Sequence, residues 1–213
     1  MTRLHPLAPV VLMAGMTACA TATPPPPALL QYSGQGCVTA PDLTGAISLT
    51  PPRERAEHVV STVINGQTPC LIRQGRATPY VIYALPSDHD DKTLSVGGLL
   101  EGIRVFSPEI ALLDAGGQVT RTFAPDEYFY RGPVYSIQFR PRESEAYVLV
   151  TSDGARVGEG YRSIVTGMQS TTVATPVVIF SINSGTEAGL NRTFSYDGTV
   201  QVSVFDSDTD ESR

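Results

Sequence analysis

From residue 46 onward, short runs of Val, Ile, Leu, Tyr, Phe and Thr alternate with clusters of Gly, Asp, Asn, Pro and Ser. Such runs, about four to eight residues long and bounded by turn formers, read as strands. They fall at 46–49, 59–64, 70–73, 80–85, 94–96, 103–106, 110–114, 119–123, 134–139, 147–151, 161–166, 177–182, 192–196 and 200–205. Asn65-Gly66, Ala115-Gly116-Gly117, Asp153-Gly154 and Asp197-Gly198 punctuate them. The last of these reads as a hairpin turn joining the final two strands. Residues 53–64 start like a helix behind Pro52, but Val59-Val60-Ser61-Thr62-Val63-Ile64 is β-branched and favours a strand, with at most a short helical turn at its front. Many short strands, frequent turns and no repeat of about 20–50 residues predict an all-β domain, a sandwich or jelly roll.

Ahead of the strands the pattern differs. Arg3 precedes an apolar run over 7–15, too short to cross a bilayer, which takes about 20 residues. Met16-Thr17-Ala18-Cys19 follows. A charged start, a short apolar stretch and small residues before a cut site make a secretory signal. The stretch resembles the bacterial lipobox, with Met16 in place of its usual leucine. That resemblance implies cleavage before Cys19 and acylation of its thiol, giving a membrane anchor worth roughly 0.8 kcal/mol per buried methylene. Ala20 stands where an Asp would imply inner-membrane retention, so the resemblance implies an outer-membrane lipoprotein facing the periplasm. A secretory peptide cut elsewhere and an uncleaved anchor are the alternatives. Pro24-Pro25-Pro26-Pro27 then favours an extended polyproline spacer. The expected organisation is a signal peptide over 1–18, a lipidated N-terminus and Pro-rich tether over 19–36, a β-sandwich domain over 37–206 and an acidic tail over 207–213.

Composition supports one domain with a sizeable core, since 41% of residues are hydrophobic. The formal net charge of −6 argues against a nucleic-acid partner, which needs a basic face, and against docking on anionic lipid by charge alone. With Cys19 consumed by lipid, Cys37 and Cys70 remain as an even pair in an oxidising compartment. A disulfide between them is expected, worth about 3–4 kcal/mol in the loop-entropy picture.

The stretch from Pro79 to Thr151 contains Tyr80-Val81-Ile82-Tyr83-Ala84-Leu85-Pro86, then Phe106-Ser107-Pro108-Glu109-Ile110-Ala111-Leu112-Leu113-Asp114. Phe123 follows, and Ala146-Tyr147-Val148-Leu149-Val150-Thr151 closes it. This third of the chain resembles the maltose-operon periplasmic protein family. It is also similar to the jelly-roll modules appended to secreted peptidases. The first resemblance implies an envelope protein in a maltodextrin context, and no binding residue is carried over from it.

Candidate chemistry is sparse. His58 and His89 are the histidines beyond the signal, and no nucleophile elbow, P-loop, zinc-protease or dinucleotide motif is present. Ser87-Asp88-His89-Asp90-Asp91 is the densest polar cluster, better read as a solvated loop than as a metal site. Asp114 before two glycines suits a bond to its own turn. Glu101, Glu109, Asp126 and Glu127 offer no spacing that selects a catalytic pair. The acidic tail lacks the Gly and Glu of a calcium loop. No cofactor and no metal are expected. Tyr128-Phe129-Tyr130 is the best ligand candidate: with Phe129 inward, alternation turns Tyr128 and Tyr130 outward beside Asp126 and Glu127 to stack on a sugar. The function expected is a non-catalytic binding or interaction module on the outer membrane, its partner a saccharide or an envelope protein. An enzyme acting on envelope polysaccharide, and a purely structural component, are the alternatives.

Overall fold

The computed structural model describes residues 24–53, 56–174 and 179–206. Cys19, the signal segment 1–18 and the acidic tail 207–213 lie outside the described residues.

Among the described residues, fourteen strands form two sheets. In chain order they are β1 (Ile47–Ser48), β2 (Glu57–Ile64), β3 (Cys70–Arg73), β4 (Arg76–Ala84), β5 (Thr93–Glu101), β6 (Arg104–Phe106) and β7 (Pro108–Leu113). Then follow β8 (Val119–Thr122), β9 (Phe129–Arg131), β10 (Val134–Phe139), β11 (Tyr147–Ser152), β12 (Gly160–Ala174), β13 (Ile179–Ser195) and β14 (Gly198–Phe205). One sheet runs β1-β4-β11-β7-β8, with β3 also on β4. The other runs β12-β13-β6-β5-β10-β9, with β14 between β5 and β2. The described residues are all-β, in a sandwich.

The alternation of apolar residues explains the layers. Along β11, Val148 and Val150 face the second sheet, where they meet a core holding Tyr83, Leu94, Val96, Phe106, Ile137, Phe194 and Val202. Leu149 faces the opposite way, with Leu71, Tyr80, Ile82, Ala111 and Leu113. The first sheet is therefore apolar on both faces, which is why β7 and β11 read as nearly continuous hydrophobic runs. Leu43, Ala46 and Tyr147 pack against the outer cluster. The Cys37–Cys70 disulfide, with Cα atoms 4.6 Å apart, fastens the segment before Leu43 to the start of β3.

Three details differ from the sequence reading. The Pro-rich segment expected as a free tether is docked: the Tyr196 N–H donates to the Leu29 carbonyl at 3.0 Å, and the Leu29 N–H donates to Ser195 Oγ at 2.7 Å. An extended strand without internal hydrogen bonds leaves such groups free to dock. Asp197-Gly198 is not a hairpin turn, because β13 pairs with β6 and β14 pairs with β5 and β2. Finally, the strands expected at 161–166, 177–182 and 192–196 fall, as far as they are described, in two long ones, β12 and β13; residues 177 and 178 lie outside the described residues. They are paired in continuous register from Gly160↔Thr193 to Ala174↔Ile179. Ser, Thr and Gly within them blur the alternation by which strand ends are read.

Candidate functional site

Several sequence candidates turn out to hold the fold together. Asp114 Oδ1 accepts the N–H groups of Gly116 and Gln118, each at 2.9 Å, and so stabilises its own turn. In the Ser87–Asp91 cluster the organising group is a cation supplied by the chain itself. Lys92 is 4% exposed, and its Nζ lies 2.9 Å from Asp88, 3.0 Å from Asp206 and 3.5 Å from Asp91. Burial alone would lower the pKa of its ammonium, but the hydrogen-bonded Asp88 and Asp206 carboxylates outweigh burial and hold it above the ordinary lysine value. The ring nitrogens of His89 face the carbonyl oxygens of Pro86 at 2.6 Å and Arg142 at 3.1 Å. Among the described residues, no group of three or more His, Cys, Asp or Glu side chains is arranged to hold a metal.

The aromatic triplet has the opposite parity from the one expected. Phe129 is 59% exposed, Tyr128 is 7% exposed and Tyr130 is half-buried. A single turn of 3-10 helix, Pro125–Glu127, delivers the chain into β9. There Tyr130 pairs with Tyr135, and both tyrosines of the triplet pack on the Tyr135 ring at centroid distances of 5.6 and 4.8 Å. Tyr161 stacks on Tyr130 at 3.9 Å. The Ile110 N–H donates to the Tyr128 hydroxyl at 3.0 Å, and burial pushes that hydroxyl's pKa up. Tyr128 is thus a core residue with a satisfied polar tip rather than an exposed platform. Tyr128→Phe is expected to lower stability by about 1–2 kcal/mol through the orphaned Ile110 N–H. Urea unfolding measures this, and an unchanged midpoint would count against the bond.

The structure does assemble a cleft, at the end of the first sheet where three segments meet. The β3–β4 hairpin contributes Arg73, Gln74 and Arg76, the start of β7 contributes Pro108 and Glu109, and the end of β11 contributes Ser152, Asp153 and Gly154. Gln74 has φ +50° and Gly75 φ +76°, the two left-handed residues that a tight type I′ hairpin turn demands. Gln74 is the one non-glycine residue with positive φ among the described residues. A backbone held there at some cost is a reason to look for function.

Two adjoining cavities of about 100 and 190 Å³ share Gln74, Glu109 and Asp153. Tyr196 borders the first, and Phe123, Tyr128 and Arg156 border the second. A Cβ on Gly154 would stand 2.5 Å from the Tyr196 hydroxyl, so the absence of a side chain there lets the ring close over the cleft. The charged groups are largely paired. Arg73 Nη2 meets Glu109 Oε1 at 3.1 Å, and Arg156 Nη1 donates to the Tyr135 hydroxyl while its guanidinium lies 4.2 Å from the Phe194 ring centroid. Two buried polar atoms of cleft residues have no protein partner: Arg73 Nη1 and Ser152 Oγ. Ser152 is only 3% exposed. Buried polar groups are normally satisfied, so a water or a ligand is the expected complement of this pair.

No local motif announced the cleft, because its residues come from five separated stretches of sequence. The two that could have drawn attention are Arg73-Gln74-Gly75-Arg76, a turn flanked by arginines in an acidic chain, and Asp153-Gly154. Comparison of the chain with protein-family models, with characterised proteins and with solved structures finds no match.

Proposed function

We propose that this chain is an outer-membrane lipoprotein, anchored through Cys19, whose sandwich is a non-catalytic binding module with its ligand site in the cleft at the β3–β4 tip. The observation that carries the reading is the pair of unpartnered, buried donors, Arg73 Nη1 and Ser152 Oγ, in a cleft that gathers three arginines on a chain of net charge −6. Donors that are buried and unpaired beside a cleft suit a ligand rich in oxygen, as a saccharide is. Neither His58 nor His89 lines the cleft, and Glu109 is tied to Arg73, so the arrangement favours holding a ligand over turning one over. The resemblance of 79–151 to the maltose-operon family puts maltodextrins first among candidate saccharides.

Thermal melting of the protein against maltodextrins, peptidoglycan fragments and divalent metals tests the reading. A ligand at 100 times its Kd should stabilise the fold by about 2.7 kcal/mol. Arg76→Ala should weaken that shift and leave the unliganded melting point in place, since Arg76 is exposed. Stabilisation that survives Arg76→Ala together with Gly154→Leu would place the ligand elsewhere. No shift with any saccharide would leave an envelope protein as the partner. Cys19→Ser should release the chain from the membrane fraction, and retention there would overturn the lipid anchor.

A further inference from the structure

The β3–β4 hairpin, one wall of the cleft, carries an arrangement that the fold itself does not need. Arg73 and Arg76 are register partners, directly opposite each other across the two-residue turn Gln74-Gly75. Like charges set opposite each other on paired strands repel, so the hairpin gains nothing from them. In a chain with 21 Asp and Glu against 15 Lys and Arg, this tip is a concentrated positive site. Glu109 answers one of the two arginines. Its Oε1 lies 3.1 Å from Arg73 Nη2, which leaves Arg73 Nη1 buried and without a partner. Arg76 is exposed and has no ion-pair partner among the described residues. The tip therefore keeps one positive charge beyond what Glu109 balances.

The other charged groups of the cleft are engaged elsewhere. Arg156 is held by the Tyr135 hydroxyl, the Phe194 ring and Glu159. Asp153 Oδ1 accepts the Ala155 N–H at 2.9 Å. The end of β11 adds a neutral group. Ser152 donates its N–H to Thr78 Oγ1 at 3.0 Å, and its carbonyl accepts from the same hydroxyl at 3.1 Å. Its own hydroxyl is left over, buried and unpartnered. Tyr196, whose ring centroid lies 5.9 Å from that of Tyr32, brings an aromatic ring to the same border. An unanswered cation, a free hydroxyl and an aromatic ring together match a sugar that bears an acid group.

We infer that the ligand of this cleft is a carboxylated saccharide, its carboxylate held by Arg73 and Arg76 and its hydroxyls by Ser152 and Gln74. This rests on the cleft reading above and narrows it from saccharides at large to acidic ones. A planar guanidinium matches a planar carboxylate through paired hydrogen bonds. A single negative charge suits the site, because Glu109 and Asp153 line the same walls and would repel a doubly charged phosphate. Neutral maltodextrins leave the charge at the hairpin tip unanswered.

Calorimetric titration of the full chain tests this with three probes: tri-galacturonate, its methyl ester and maltotriose. Esterification removes the charge and leaves the ring hydroxyls in place. Tri-galacturonate should bind at least about 10-fold more tightly than either neutral probe, the step expected of a charge-assisted hydrogen bond. That preference should narrow as salt rises. Arg76→Gln should cut tri-galacturonate affinity about 10-fold and leave the ester unchanged, and Arg76→Lys should keep part of the affinity. Equal binding of acid and ester, abolished by Gly154→Leu, would overturn the acidic ligand and leave the cleft as the site. Tri-galacturonate binding that survives both Arg76→Gln and Gly154→Leu would overturn the inference and the cleft reading together. Absence of binding by tri-galacturonate in the millimolar range would overturn the inference, and the wider melting panel would then decide the cleft reading by itself.

Discussion

Glu145→Ala is expected to lower the stability of the domain by about 3–5 kcal/mol, the range for stripping one partner from a buried ion pair. Glu145 is fully buried in the turn between β10 and β11. Its Oε2 accepts from Arg121 Nη2 at 2.8 Å and from the Arg142 N–H at 2.7 Å, and its Oε1 lies 3.4 Å from Thr120 Oγ1. One carboxylate thereby ties β8 to that turn. Arg121 keeps one other acceptor, the Arg140 carbonyl at 3.0 Å from its Nη2, while its Nε is buried without a partner and its guanidinium lies 5.3 Å from the ring centroids of both Phe123 and Phe139. Removing both charges together, with Arg121→Met and Glu145→Leu, should recover most of the loss, because the desolvation cost leaves with them. Chemical denaturation of the two variants makes the measurement. A single variant costing under about 1 kcal/mol would mean that solvent reaches the pair.

Gly97→Val is expected to prevent folding or cost more than about 4 kcal/mol, the range of exceptional substitutions. Gly97 and Gly98 sit in the middle of β5, which pairs with β10 on one side and β14 on the other. A Cβ on Gly97 would lie far inside van der Waals contact with the Tyr135 carbonyl oxygen, and one on Gly98 would do the same to the Phe106 carbonyl oxygen. Both obstacles are backbone, held by sheet hydrogen bonds, so neither can yield cheaply. The Phe106 backbone comes this close because the chain leaves one sheet for the other there, between β6 and β7. Gly66→Ala is the control: nothing lies near its added Cβ, and its effect should stay within about 0.5 kcal/mol. Expression and melting of the two variants separate the cases. A folded Gly97→Val protein of parental stability would refute the close approach.

Those glycines mark where the sequence could be read and where it could not. The strands were legible because branched and aromatic residues recur between turns, and β3 and β10 coincide with the runs at 70–73 and 134–139. Cys37 and Cys70 were legible as a pair by elimination. A double glycine inside the strand at 93–101 is itself a sequence sign of close backbone approach. The parity of Tyr128-Phe129-Tyr130 was not legible, since alternation relates neighbours to one another but does not say which of them faces the core. That choice is made by Tyr135 on the partner strand. Asp197-Gly198 has hairpin chemistry, yet β6 and β5 intervene in the pairing between the strands it joins. The cleft was hidden by distance along the chain, with Arg73 and Asp153 brought together only by β4 and β11 pairing.

The docking of Leu29 onto Ser195 and Tyr196 sets a leash. An extended chain advances at most about 3.3–3.6 Å per residue, so the path from Cys19 to Leu29 cannot exceed about 35 Å. Arg104 shortens the slack, since its Nη1 reaches the Pro27 carbonyl at 3.4 Å and Asp197 at 2.5 Å. The leash is therefore pinned beside the place where β13 meets β6. With an acyl chain on Cys19, the lipid would be tied to the domain at the place where Leu29 docks. The bilayer would then lie within the leash's length of the docked Leu29, a shorter reach than a spacer running free to residue 36 would give.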